Sequence, residues 1–205
     1  MNKGKTIFIT SFFGLIAKNI LATSVLKILS QQPGLKIVIL APEEKRELYQ
    51  KYFGVGNVIV EGIKLSPIES LSKMEKLFYS LFLNFSDTSA FRINRLIERK
   101  KYRHYARSFL HWTSAKLGNL RFVRGLLRRL DYRLMPKNKF REYFEKYKPN
   151  MIFSTDVFQI NDVEVMREAR ARGIYVMSMV RSWDNVTSHG LNRIIPDKLI
   201  VNTPK

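Results

Sequence analysis

Six short runs rich in β-branched and aromatic residues punctuate the chain: Thr6–Thr10, Lys36–Ala41, Asn57–Glu61, Asn150–Thr155, Ile174–Val180 and Leu199–Asn202. Most are separated by stretches whose apolar residues recur every three or four positions. Strands that alternate with helices predict right-handed βαβ units and a parallel sheet. Lys36–Ala41 is apolar almost throughout, as a strand covered on both faces should be. After the first run, Ile16, Ile20, Leu21, Val25, Ile28 and Leu29 predict one amphipathic helix, which Pro33-Gly34 ends. Pro42 to Phe53 reads as a second, short helix. Between Asn161 and Arg172 the inward positions are Val163, Met166 and Ala169. Glu168 and Arg172 are spaced to pair, and Gly173 suits the stop. The expected fold is therefore α/β: a Rossmann-like parallel sheet of about six strands.

The middle of the chain breaks the alternation. Leu65 to Phe85 carries a broad apolar helical face of Leu71, Met74, Leu77, Phe78, Leu81, Phe82 and Phe85. Asp87 to Lys148 is helical in pattern and holds half of the chain's Lys and Arg, with Gly118 and Pro136 as breaks. The reading is a basic helical insertion between strands three and four, at about residues 65–148. The formal net charge of the 205 residues is +19, which favours anionic partners. There is no cysteine, so thiolate chemistry and disulfides are excluded. No apolar run approaches the roughly 18 residues needed to span a bilayer. Lys3 and Lys5 before Thr6–Ala17 imitate a signal peptide, but the pattern continues at helical spacing and a small-residue cleavage site is missing.

Three places carry candidate chemistry. Arg181-Ser182-Trp183-Asp184-Asn185-Val186-Thr187-Ser188-His189-Gly190 follows an apolar strand and packs hydrogen-bonding groups into a loop. In open parallel sheets ligands bind beyond the carboxyl ends of the strands. Asp184 and His189 are candidate bases. Arg181, Trp183, Asn185 and Ser188 are candidate substrate contacts. The plainer alternative is that Asp184, Asn185 and Ser188 satisfy turn backbone and cap a short helix. The second place is Ser11-Phe12-Phe13-Gly14, where a dinucleotide fold carries several glycines. Only Gly14 is present, and Phe12 and Phe13 obstruct phosphate. Ser11 and Gly14 then read as a plain turn or as an acceptor-facing loop. The third is Asp156, at the end of strand four, which serves equally as a ligand contact or a helix cap. His104 and His111 show no metal-ligand spacing, and no metal or other cofactor is expected.

The basic region offers Arg92, Arg95, Arg99, Lys100, Lys101, Arg124, Arg128 and Arg129 as membrane or anion contacts, with aromatics interleaved. Its alternatives are a solvated helical face, adsorption to anionic lipid and nucleic-acid binding. The absence of a recognised nucleic-acid motif argues against the last.

The strand order, the insertion and two short segments resemble the N-terminal domain of GT-B-type glycosyltransferases, in particular those linked to bacterial surface polysaccharide. The segments are Ser182 to Gly190 with Pro196-Asp197-Lys198-Leu199-Ile200-Val201, and Ser11 to Leu21 with Gly14 and Lys18-Asn19-Ile20-Leu21. The resemblance implies the acceptor-binding half of a two-domain enzyme. A C-terminal half would bind the nucleotide-sugar donor, commonly without a metal, and the half alone would be inactive. It implies a sugar or lipid-linked acceptor and a peripheral position on the cytoplasmic face of the membrane. The glycine pair that some lipid-acceptor members carry after strand one is missing. Halting straight after strand six also suggests a piece of a longer protein. A nucleotide-sugar epimerase of the same architecture, and a basic membrane- or nucleic-acid-binding module, are the alternative functions.

Overall fold

Ile37, Val38, Ile39, Leu40 and Ala41 are all fully buried, so the second strand is covered on both faces as its composition requires. The computed structural model describes residues 4–86, 88–102, 116–182 and 184–201, with backbone alone at 94, 95, 98–102 and 186. Within these, β1 (Lys5–Thr10), α1 (Gly14–Ile16), α2 (Ser24–Ser30), β2 (Leu35–Pro42), α3 (Arg46–Phe53) and β3 (Val58–Ile63) come first. Then follow α4 (Lys73–Asn84), α5 (Ser89–Tyr102), α6 (Arg121–Leu134) and α7 (Arg141–Tyr147). The chain continues with β4 (Met151–Ser154), α8 (Ile160–Ala171), β5 (Tyr175–Met179), α9 (Asn185–Ser188) and β6 (Lys198–Ile200).

The six strands form one parallel sheet in the order β3-β2-β1-β4-β5-β6, which is Rossmann-like. The period-two rule sorts its faces. Ile9, Ile37, Ile39, Ala41, Val58 and Val60 pack with Leu21, Leu26 and Tyr49. On β1, Phe8 points the other way from Ile9. Its ring lies 5.3 Å from Phe144 and 6.1 Å from Tyr147 on α7. Beside them Glu61 accepts from the Lys146 ammonium at 2.6 Å and from the Tyr147 hydroxyl. Burial opposes its ionisation, but these bonds outweigh burial and hold the carboxyl below its ordinary value.

The single helix expected over Ile16–Leu29 is broken. Ala17–Leu21 is a π-turn, and the helix restarts at Ser24. Thr23 is the physical reason: its hydroxyl donates to the Ile20 carbonyl at 2.7 Å and accepts from the Val25 amide at 3.3 Å. The wider turn and the restart change the phase, so Leu26 is buried while Val25 and Ile28 face out. In α8 the pattern holds: Val163, Met166 and Ala169 are buried, and Arg172 meets Glu168 at 2.7 Å. Gly173 takes φ +69, the left-handed stop.

The chain divides into two compact units. The sheet unit comprises Met1–Pro67, Pro136–Met179 and Pro196–Ile200, and the helical unit comprises the remainder. Residues 136–148, read from sequence as part of the insertion, thus belong with the sheet. In the helical unit Ser72 and Glu75 form a capping box that starts α4. Phe78, Phe82, Phe85, Leu127 and Met135 make its core. The α6 helix stops at Leu134 because Met135 precedes Pro136 and is driven to an extended conformation.

Candidate functional site

The strand order reverses between β1 and β4, and a parallel sheet opens its ligand crevice beyond the carboxyl ends of such strands. Here those ends carry a closed polar cluster. The Thr155 amide donates to Thr10 Oγ1 at 2.9 Å, and the Thr155 hydroxyl donates to the Thr10 carbonyl at 2.9 Å. The Thr10 hydroxyl spends its own hydrogen on Asp162. The 3.3 Å approach of the two threonine hydroxyls therefore has no hydrogen left to bridge it. Ser154 Oγ lies 3.0 Å from Asp162 Oδ1 and 3.1 Å from the Asp156 carbonyl, one hydrogen between two acceptors.

Asp162 is wholly buried. Burial, and then the neighbouring Asp156 carboxylate, push its carboxyl up to about 7 against the pull of the Thr10 and Ser154 hydroxyls. Sequence reasoning passed over Asp162, yet the signal was present. It lies four and seven residues before Met166 and Ala169, on the stripe that faces inward. A carboxyl on an apolar stripe is the informative exception.

Two of the expected contacts on this edge, Ser11 and Asp156, are engaged internally. Ser11 is fully buried, with its hydroxyl 3.3 Å from that of Tyr49. Asp156 is buried, and its Oδ1 accepts the Phe158 amide at 2.8 Å, turning the chain toward α8. Gly14 is exposed, and a Cβ there would come 3.7 Å from the Lys45 amine. The Phe12 ring stacks on Phe140 at 6.3 Å. Ser66 donates its amide to Asn161 at 2.9 Å, which ties the segment after β3 to the start of α8.

The loop after β5 belongs to the helical unit and is laid down firmly there. Gly190 takes φ +81, and a Cβ would meet the Phe82 carbonyl at 2.5 Å, so only glycine fits this approach. Leu191 donates to that same carbonyl at 3.0 Å. The Thr88 hydroxyl donates to the Thr187 carbonyl at 2.5 Å. Buried Arg193 pairs with buried Asp131 at 2.5 Å, its guanidinium 5.8 Å from the Phe82 ring centre.

On this support α9 makes one turn. The Asp184 carbonyl accepts from the Thr187 hydroxyl at 2.8 Å and the Ser188 hydroxyl at 2.9 Å. Ser188 Oγ is also 2.9 Å from His189 Nδ1. A hydroxyl has one hydrogen, so if Asp184 receives it, Nδ1 carries its own and donates. Nε2 then holds the basic lone pair. The Asp184 side chain is exposed. Its bond from Ser182 holds the carboxyl below its ordinary value, aided by His189 and Arg181. Arg181 is half-buried, while Asn185 is buried with no hydrogen-bond partner at Nδ2. Trp183 lies outside the described residues.

In the basic region the structure separates residues that the sequence grouped. Arg124 donates through Nε to the Gly118 carbonyl, and Arg128 donates to the Asn192 carbonyl at 2.8 Å. Burial lowers the Arg128 value, and Arg124 beside it adds to this. Both therefore serve the unit's own packing. Arg92 and Arg129 are exposed. The side chains of Arg95, Arg99, Lys100 and Lys101 on α5 are outside the described set, as are His104 and His111.

Among the described residues no group of His, Asp or Glu is placed to hold a metal ion, and no helix is long and apolar enough to cross a membrane. No family model and no curated protein matches the chain.

Proposed function

We propose that the chain is the acceptor-binding half of a nucleotide-sugar-dependent glycosyltransferase of GT-B type. One observation carries the reading: on and beside the short helix α9, the loop after β5 combines an exposed carboxylate, a hydroxyl and an imidazole. Two features support it. The sheet is Rossmann-like. The turn after β1 places Phe12 and Phe13 where a dinucleotide-binding fold places glycines.

In this reading an acceptor hydroxyl attacks the anomeric carbon of the donor sugar and the nucleotide leaves. His189 Nε2 takes the proton. An imidazole is matched to proton transfer near neutrality, whereas a carboxyl lowered by its neighbours is a weak base. Asp184 therefore stabilises the imidazolium rather than abstracting the proton. Arg181 offsets negative charge on the substrate, and Trp183 stacks on a sugar ring.

The test is turnover by the polypeptide as its gene encodes it, presented with a panel of nucleotide-sugars and candidate acceptors. His189→Gln lowers kcat by about 100-fold or more, the contribution of a positioned proton acceptor. Full turnover in that variant sinks the assignment. A product with an inverted sugar centre and no new glycosidic bond would establish the epimerase instead.

A further inference from the structure

The backbone ladder between β1 and β4 ends at the Ile9–Phe153 pair. Past it the two chains leave the sheet on opposite faces. Leu21 and Leu26 pack on the Ile9 side, and Asp162 of α8 meets Thr10 on the other. Such a fork is where a parallel sheet opens a crevice. Here side chains close it: two bonds of 2.9 Å join Thr155 to Thr10. Asp162 takes the Thr10 hydrogen, which leaves Thr10 Oγ1 free to accept the Thr155 amide. Thr155, Asp156 and Val157 are each at most 1% exposed, although connecting loops ordinarily run over the surface. Asp156 of this loop is the charged group beside Asp162. From β1, β4 and β5 its row receives hydroxyls: Thr10, Ser154 and Ser178. Farther along α8 the buried charges are Glu164, which meets Lys139 at 2.5 Å, Arg167, and Glu168, which meets Arg172 at 2.7 Å.

We infer that Thr10, Thr155 and Asp162 form a proton-operated latch, which holds the β4–α8 loop (residues 155–159) closed across the fork and lets it open when Asp162 ionises. A neutral carboxyl is at ease in this dry cluster. An ionised one lies beside a second carboxylate, and the Thr10 and Ser154 hydroxyls do not replace the hydration it lacks. Burial and Asp156 accordingly hold the closed form at about 7. Opening admits water and returns the carboxyl toward its ordinary 3.8. Between these values the closed loop keeps a proton that the open loop has lost. Opening therefore becomes more frequent as pH rises through that window, and levels off above about 7. The opened fork presents both carboxylates and the hydroxyls of Thr10, Ser154 and Thr155 to the crevice. The latch is independent of any transfer chemistry.

The experiment is amide hydrogen exchange of the full chain at pH 5 and pH 8, read by NMR and divided by the exchange rate of the unstructured chain at each pH. Three amides report on the loop: Thr155, Val157 and Phe158, bonded to Thr10 Oγ1, the Met179 carbonyl and Asp156 Oδ1. Fully buried Ile37–Ala41 of β2 report global unfolding. The loop amides open more often than those of β2, and their opening constant rises by about tenfold or more from pH 5 to pH 8. In Asp162→Asn, which cannot ionise, the rise disappears. Thr155→Val removes one bond of the latch, so the loop opens about fivefold more often at both pH values and keeps the rise. This second variant and the wild-type profile stand even if the asparagine protein does not fold. Opening in the wild type that ignores pH overturns the inference, as does a rise that survives in Asp162→Asn. Loop amides that exchange in step with Ile37–Ala41 overturn it too, because the opening would then be global.

Discussion

Asp162 shows what a single buried carboxyl does to a Rossmann-like sheet. Its ordinary value is 3.8, and in the folded chain it is pushed up to about 7. Between these values the folded protein keeps a proton that the unfolded chain has lost. Stability therefore falls as pH rises through that window and levels off above about 7. Asp162→Asn keeps an oxygen to accept from Thr10 and Ser154 but has no charge to bury. Urea unfolding at pH 5 and pH 8 is the measurement. The wild type is expected to lose roughly 1–3 kcal/mol over that interval, and the variant to be nearly flat. Equal slopes would mean that Asp162 ionises normally. The carboxyl was readable in the sequence as an acid on the inward stripe of α8. Its partners were not, because Thr10 is 152 residues away.

At the scale of elements, the strands and α8 were legible and the first helix was not. Strand runs bounded by turn residues fix themselves locally, and period two then settles which side is buried. The stretch from Ile16 to Leu29 has helical spacing throughout, but Thr23 caps a new helix inside it. One side-chain hydrogen bond thereby overrode a pattern spread over many residues. On α6 Phe122, Leu126, Leu130 and Leu134 are exposed, while Asp131 is buried against Arg193 and Arg128 donates to the Asn192 carbonyl. Gly125 in this helix has no neighbour that demands it. Gly125→Ala is expected to stabilise the protein by about 1 kcal/mol, the propensity difference between the two residues in a helix interior. Equilibrium denaturation checks it. A loss of stability would reveal a contact that glycine preserves.

At the scale of the whole molecule, charge and connectivity pull on different decisions. The helical unit is assembled from three chain segments, two of which are Ile68–Met135 and Val180–Ile195. The Asp131–Arg193 pair joins these two segments with both side chains buried. Arg193→Met leaves the Asp131 charge buried without its guanidinium, and costs about 3–5 kcal/mol. Hydrogen exchange checks where the cost falls: amides of α4, α6 and residues 184–193 lose protection first. Uniform loss throughout the sheet would show that the pair secures more than its own unit.

The sequence by itself determined the sheet. Apolar runs at strand length, separated by helical periods, leave a parallel α/β arrangement as the way to cover both faces, and neighbouring residues supply that information. It also determined the charge and the absence of thiol chemistry. The tertiary structure alone decided that Ser11 and Asp156 are turned to internal bonds. The same holds for Arg124 and Arg128 as packing groups and for the exposure of Phe122 and Leu126 on α6. The reason is common to all of them. A polar side chain has many possible partners at short range in sequence, and the partner that satisfies it after burial comes from wherever the folded chain brings an acceptor or a donor.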